Sequence, residues 1–448
     1  MKKLLRYIRK ILKTSFDNIR NERLKQNLLQ AVPFWVGSVI TGLIAVLYAQ
    51  IFAFGEEMLH KILNWHLWMI FILAPAGFVL SWWLVKNYAP FAKGSGIPQV
   101  MAAVELANPR DNFLVQKLLS FRILFIKILS SFVLVMSGGA IGREGPTIQI
   151  AGSIFRKVYE LLPDWWPKIS KKNMILTGAA AGLSAAFNTP LGGIVFAVEE
   201  LSKTHISYFK TALFTAVIIA GLTAQTLAGS YLYLGYPKTQ GVTLWIMFPI
   251  IFVSGIAGIM SSQLSVTMLK INRLKKKLKT DSSNIIFLII CGLTVAFIAY
   301  FLNRDILGSG KDIIERVLFT DEKTEAWYVP ILRMLGPALA FTSGGAGGIF
   351  APALSAGASL GSVFADIMNL TENETNVLIL AGMVSFLTGI TRAPFTSAIL
   401  VLEMTDRHSL IFHLMLAGMM SSIFSVLVSR HSLYEELKIS FLKEMRKV

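Results

Sequence analysis

The 448-residue chain has one cysteine, six histidines and few charges. Cys291 standing alone excludes an intrachain disulfide framework. Six scattered histidines beside it offer no ligand constellation for a resident metal. Charged residues make up only 15% of the chain, against roughly 25% in soluble domains, while 54% is hydrophobic and the mean hydropathy is +0.60. Acids are scarcest, 26 Asp and Glu against 43 Lys and Arg. The resulting charge of +17 invites a nucleic-acid reading, but its distribution excludes one. Residues 2–25 hold nine Lys/Arg beside Asp17 and Glu22, and "RLKKKLK" (273–279) holds five more. Basic clusters flanking apolar spans are the mark of loops on the cytoplasmic side of a membrane.

What is abundant is apolar length. Runs lie at about 31–54, 66–86, 118–137, 173–201, 210–236, 243–269, 284–302, 328–343, 349–369, 377–402 and 409–429. They exceed what a globular core needs, so the chain reads as an all-α polytopic membrane protein. Many runs are broken by Gly or Pro, and several are too short to cross roughly 30 Å of hydrocarbon. Broken helices at membrane depth are tolerated where they line a cavity or are buried in protein, which points to a transport pathway. Leu4, Ile8, Ile11, Leu12 and Ile19 make an apolar stripe against the N-terminal charge. Residues 1–30 are therefore expected to lie as an amphipathic helix on the cytoplasmic surface, with no cleaved signal peptide.

The chain also repeats itself. "SGGAIGREGP" (137–146) and "SGGAGGIFAP" (343–352) share S-G-G-A-x-G-x-x-x-P, with Glu144 opposite Phe350. "GSG" occurs at 94–96 and 308–310, Lys127 matches Arg333, and "NTPLGGIVFAVEE" (188–200) matches "RAPFTSAILVLEM" (392–404). Several matches in one order imply two homologous membrane halves, 31–236 and 243–429, followed by a C-terminal helix at 430–448. Inverted repeats whose broken helices meet near the midplane are a recurrent transporter plan.

Glycine-rich backbone followed by proline is a helix start with exposed N–H groups, which binds anions. Burying a small ion costs on the order of 20 kcal/mol in the idealised limit. One helix dipole returns at most about 2 kcal/mol and each hydrogen bond to a charge about 1.5–3 kcal/mol. Three converging starts with the Ser95 hydroxyl reach that scale without a fixed cation, which would hold the ion too tightly to release it. A carboxylate at such a start, as at Glu144, can take the anion's place, and protonation would free the site. Enzyme classes find no support. "GSGIPQ" lacks the third glycine of a dinucleotide fingerprint, "GSGKD" (308–312) lacks P-loop spacing, and no nucleophile–base pair stands out.

"GSGIP" (94–98), "GREGP" (142–146), "GGIFAP" (347–352) and "SLYEEL" (432–437) together resemble the CLC family of chloride channels and proton-coupled chloride transporters. The resemblance implies a homodimer with one anion pathway per subunit and two inverted halves meeting at a central anion site. It implies chloride and protons as substrates, with no cofactor and no nucleic-acid partner. By motif match, Ser95 and Tyr434 supply coordinating hydroxyls, with the backbone of Ile349, Phe350 and Gly145 completing the anion site. Glu144 would be the external gate and Glu200 the internal proton acceptor of an antiporter. A passive, voltage- or pH-gated chloride channel of the same family is the alternative. The repeat bears on Glu200, because Glu199 matches Glu403 whereas Glu200 matches Met404. Serine at position 95 goes with chloride in the family, and the intact motifs set the chain apart from the fluoride-exporting branch. Gln99 and Met101 stand where many relatives have acids, which leaves Lys127 without that family partner. Lys127 and Arg333 are candidate cations lending positive potential to the pathway. The short stretch after Tyr434, with no regulatory domain, suggests a bacterial cell-membrane protein with both termini cytoplasmic.

Overall fold

A computed structural model describes residues 13–14, 16–17, 21–201, 210–229 and 234–446. Most of the expected amphipathic N-terminal segment lies outside the described residues. The first half contains α1 (Glu22–Trp65), α2 (Ile70–Tyr88), α3 (Ile97–Leu106), α4 (Phe121–Met136), α5 (Glu144–Leu161), α6 (Lys171–Phe187), α7 (Pro190–Phe196) and α8 (Lys210–Ala228). The second contains α9 (Met247–Lys275), α10 (Asp281–Phe301), α11 (Lys311–Phe319), α12 (Val329–Thr342), α13 (Phe350–Ile367), α14 (Glu372–Thr391), α15 (Pro394–Thr405) and α16 (Ile411–Val426). A final helix, α17 (Leu433–Arg446), has no counterpart. Among the described residues, nine helical segments are long and apolar enough to cross a membrane. Others, such as α3 and α15, are too short at 1.5 Å per residue.

The apolar runs at 173–201 and 377–402 each resolve into two helices. Asn188 (φ 57°) and Arg392 (φ 64°), matching positions of the repeat, turn left-handed after α6 and α14. Pro190 and Pro394 then open the next helix, since proline suits a first turn and cannot continue the previous one.

Packing follows the repeat. α5 packs on α6 as α13 packs on α14, and α1 on α8 as α9 on α16. Matching helices also meet across the interface, α2 against α10 and α7 against α15. At the centre, Gly142 N–H donates to Gly348 O (2.8 Å) and Gly348 N–H donates to Gly142 O (2.7 Å). This antiparallel pair joins a residue to its own counterpart, so a local two-fold axis passes between them. The halves are inverted copies.

A second reciprocal pair locks the periphery. Leu191 and Gly192 N–H donate to the Glu403 carboxylate (3.0 and 2.8 Å). Phe395 and Thr396 N–H donate to Glu199 (3.2 and 2.6 Å), joined by the Thr396 hydroxyl at 2.7 Å. Each half thus caps the start of a short proline-led helix in the other, placing a carboxylate where orphan N–H groups and the dipole favour one. The centre is densely buried, with α14 94% enclosed over its apolar window, while residues such as Phe248, Phe297 and Phe412 on peripheral helices face outward.

Candidate functional site

Three helix starts are tied to one hub by backbone bonds. The 94–96 loop joins the second half through Gly94 N–H to Gly345 O (2.7 Å) and Gly347 N–H to Gly94 O (3.1 Å). This sets the start of α3 beside that of α13, while the Gly142–Gly348 pair sets α5 beside them. Gly96 caps α3 with φ 106°, a conformation that favours glycine. A Cβ at Gly145 would sit 2.1 Å from Ser95 Oγ, so the α5 backbone reaches the serine only because that position has no side chain.

Ser95 (1% exposed) and Tyr434 (0%) bring two buried hydroxyls together. They face each other, and neither has any further hydrogen-bond partner among the described residues. A buried hydroxyl without a partner is costly, and such a group needs an explanation. Ile349 caps α13 and Phe350 is its first residue; the Phe350 ring lies 6.1 Å from both Phe187 and Tyr434. These aromatic walls exclude lipid and water without contributing charge. Glu144 opens α5 and is buried, and its Oε2 would be 2.3 Å from a Cβ at Gly142, a position 3.1 Å from Ala351 Cβ. The carboxylate therefore folds back toward the first turn of α13. Tyr434 lies within electrostatic reach of both Glu144 and Glu200.

Glu200 is half-buried and sits in a single π-helical turn, Ala197–Leu201, that continues α7. Such turns occur mostly as bulges and often at functional sites. Its neighbour Glu199 is held by the α15 backbone as described above, so the two adjacent acids have different duties.

The two candidate pathway cations are both fixed by bonds. Lys127 Nζ donates to Gln149 Oε1 at 2.6 Å. Arg333 donates to Ser355 Oγ (2.9 Å) and to the carbonyls of Asp305, Leu307, Gly308 and Ser309 at 2.8–3.3 Å. Gln149 and Ser355 are themselves matching positions, so the cation–acceptor pair is part of the repeat. Both cations are fully enclosed, which rules out side chains extended to the membrane surface. Gln149, Glu199 and Glu403 went unassigned in the sequence; the repeat register, which places Gln149 opposite Ser355 and Glu199 opposite Glu403, was the signal available.

Inverted halves of broken helices, meeting at a buried cluster of helix starts and hydroxyls, define an integral multi-pass membrane protein of the transporter and channel type. The sequence model described as "Voltage gated chloride channel" matches residues 76–426, and the chain belongs to that family. The H(+)/Cl(-) exchange transporter ClcA of Citrobacter koseri is 29% identical over 428 residues, covering 90% of this chain and 86% of that protein. ClcA of Salmonella arizonae is 28% identical over a similar span, covering 90% and 86%. Among solved structures, a slow cyanobacterial Cl-/H+ antiporter superposes with a TM-score of 0.79 at 23% identity, covering 93% of this chain and 98% of that one. A CLC-type fluoride/proton antiporter gives 0.76 at 18%, with coverage of 93% and 98%. At these identities the structural matches establish the shared fold.

Proposed function

We propose that the protein exchanges chloride for protons across a bacterial cell membrane, as a homodimer with one anion route per subunit and both termini cytoplasmic. The reading rests on one observation above all. Two buried hydroxyls, Ser95 and Tyr434, face each other with no further partner among the described residues, where three helix starts converge. A chloride there accepts both O–H groups and the N–H groups of Gly145, Ile349 and Phe350, and the positive ends of three helices offset its desolvation. Among the described residues no lysine or arginine is bonded to either hydroxyl, so the anion can leave.

Glu144 is the external gate in this reading. As a carboxylate it occupies the anion's place at the start of α5; once protonated it swings away and the anion passes. Glu200, beyond Tyr434, exchanges the proton with the inner solution. The names of the relatives support the same coupled exchange. Lys127 and Arg333 then add background potential while holding the loops in place.

The test is simultaneous recording of chloride efflux and proton influx from proteoliposomes. Wild-type chloride efflux should drive protons inward against their gradient, and Glu144→Ala should retain chloride flux with no coupled protons. Wild-type chloride flux without proton movement would instead establish a passive channel.

A further inference from the structure

A cavity of about 550 Å³ opens below Ser95, and its inner end reaches Gly94 and Pro98 at the start of α3. It is far larger than a chloride requires and falls within the roughly 300–1,000 Å³ of pockets that enclose whole organic ligands. Six cations line it, Lys86, Lys93, Arg273, Lys275, Lys276 and Lys443, against the two carboxylates Glu436 and Glu444. Those carboxylates are engaged at its edge, Glu444 with Lys93 at 3.0 Å and Glu436 with Arg273 at 3.8 Å. Outside the lining, Asp281 pairs with Lys86. Lys276 Nζ donates to Ser440 Oγ (2.8 Å), and Lys275 to the Thr342 and Ser343 carbonyls that end α12. Basic side chains thus outnumber carboxylates in the lining by six to two, and they come from α2, the loop before α3, the end of α9 with the turn after it, and α17. Trp82, Phe341 and Phe441 supply apolar wall between them, with Lys86 5.1 Å from the Trp82 ring and Lys93 5.2 Å from that of Phe441.

We propose that this vestibule binds a phosphorylated polyanion, one carrying three or more negative charges beside an organic body or alone, and that the bound ligand closes the chloride route from that side. Lysine is a point-charge binder of phosphate, and attraction grows with the product of charges. The potential that draws chloride inward therefore draws a triphosphate more strongly. The ligand's size matches the cavity, and because Ser95 belongs to the lining, an occupant would stand against the chloride site from that side. The same chemistry is carried by a soluble nucleoside triphosphate and by a multiply phosphorylated lipid headgroup. That the occupant slows transport rests on the chloride reading above; that it binds does not.

The site is tested by calorimetry on the detergent-purified full chain, titrated with tripolyphosphate and with magnesium-free ATP at an ionic strength matched by sulfate. Binding should saturate above the sulfate background and weaken at least tenfold in the double variant Lys276→Gln/Lys443→Gln. Both lysines are exposed, so the fold should survive, which gel filtration checks; Arg273→Gln serves as a second variant. Chloride efflux is then measured with ATP on both faces of the vesicles. In a separate arm, vesicles of phosphatidylcholine are doped with phosphatidylinositol 4,5-bisphosphate or with phosphatidylserine at equal charge. Slowing by ATP identifies a soluble ligand, and slowing by the bisphosphate lipid alone identifies a headgroup. No binding beyond sulfate, or binding unmoved by both variants, overturns the site. Binding with unaltered flux overturns the closure. An absence of chloride transport would leave the calorimetric result standing, so the two failures are separable.

Discussion

The same three letters, "GSG", open α3 and α11, yet the two helix starts end in opposite circumstances. At α3 the loop is tied to the other half's glycine phrase, and the helix start faces two hydroxyls with no further partner among the described residues. At α11 the corresponding loop is closed by the protein itself. Ser309 N–H donates to Glu56 Oε1 at 2.9 Å, and the carbonyls of Gly308 and Ser309 receive Arg333. A Cβ at Gly310 would lie 2.3 Å from that guanidinium, so the plug fits as tightly as a ligand would. The repeat supplies two like loops, and side chains from elsewhere, Glu56 and Arg333, close one of them. Asymmetry, more than the repeat, determines where a substrate can bind.

Breaking the plug should have the largest effect. Arg333→Met leaves four buried carbonyls without their donor and should cost about 3–5 kcal/mol, read as lost monodisperse protein or a collapsed melting temperature in mild detergent. Lys127→Met, at the matching position, strands only Gln149 Oε1 and should cost about 1–3 kcal/mol. Equal losses for the two would refute the claim that the plugged side is the more heavily bonded.

Next come the paired acids. Glu199→Gln and Glu403→Gln should each destabilise by about 1–2 kcal/mol, because a charge-assisted cap becomes a neutral one. The two losses should be similar, with Glu199→Gln the slightly larger because its carboxylate also accepts from the Thr396 hydroxyl. Glu200→Gln should leave the melting temperature in place and abolish proton coupling instead; a Glu200 variant that melts like the other two would assign all three acids to scaffolding.

The smallest effect lies on the exposed face of the first turn of α11. His60 Nε2 stands 3.3 Å from Asp312 Oδ2, and this hydrogen bond holds the Asp312 carboxyl below its ordinary range. A depressed carboxyl contributes stability above its unfolded value and loses it as pH falls through the lowered one. Both side chains are mostly exposed, so screening limits the contribution to below about 0.5 kcal/mol. Asp312→Asn should barely shift the melting temperature at pH 6 and not at all near pH 3. A large shift would mean that the start of α11 is held by its exposed face more than by Arg333.

Much of this plan was legible in the sequence because it is carried by local signals. Glycine–proline phrases fix helix starts within a few residues, and their spacing exposes the repeat without any knowledge of contacts. The opposition of Glu199 to Glu403 and of Glu200 to Met404 already separated the two adjacent acids. What was hidden depends on distant segments. Lys127 looks short of a partner when acids alone are sought, because its acceptor is the neutral Gln149. That Glu199 caps α15 follows only once the halves are folded together. The basic vestibule draws on residues 82–99, 269–284, 341–344 and 436–444, and nothing within any one of them says that they meet around a cavity. The breaks inside the runs at 173–201 and 377–402 were suggested by proline, but the left-handed turns at Asn188 and Arg392 were not.

The exchange of carboxylates between α7 and α15 also bears on biosynthesis. The first four residues of α7 leave the ribosome some two hundred positions before Glu403 is made. At ordinary translation speeds that interval is on the order of 10–40 s. Throughout it, the nascent first half sits in the bilayer with a raw helix end and an acid that has nothing to hold. Insertion must therefore pass through a half-built intermediate in which neither cap is made, and the mutual clasp closes only once the second half has been synthesised. Neither half is a module that could be borrowed without the other.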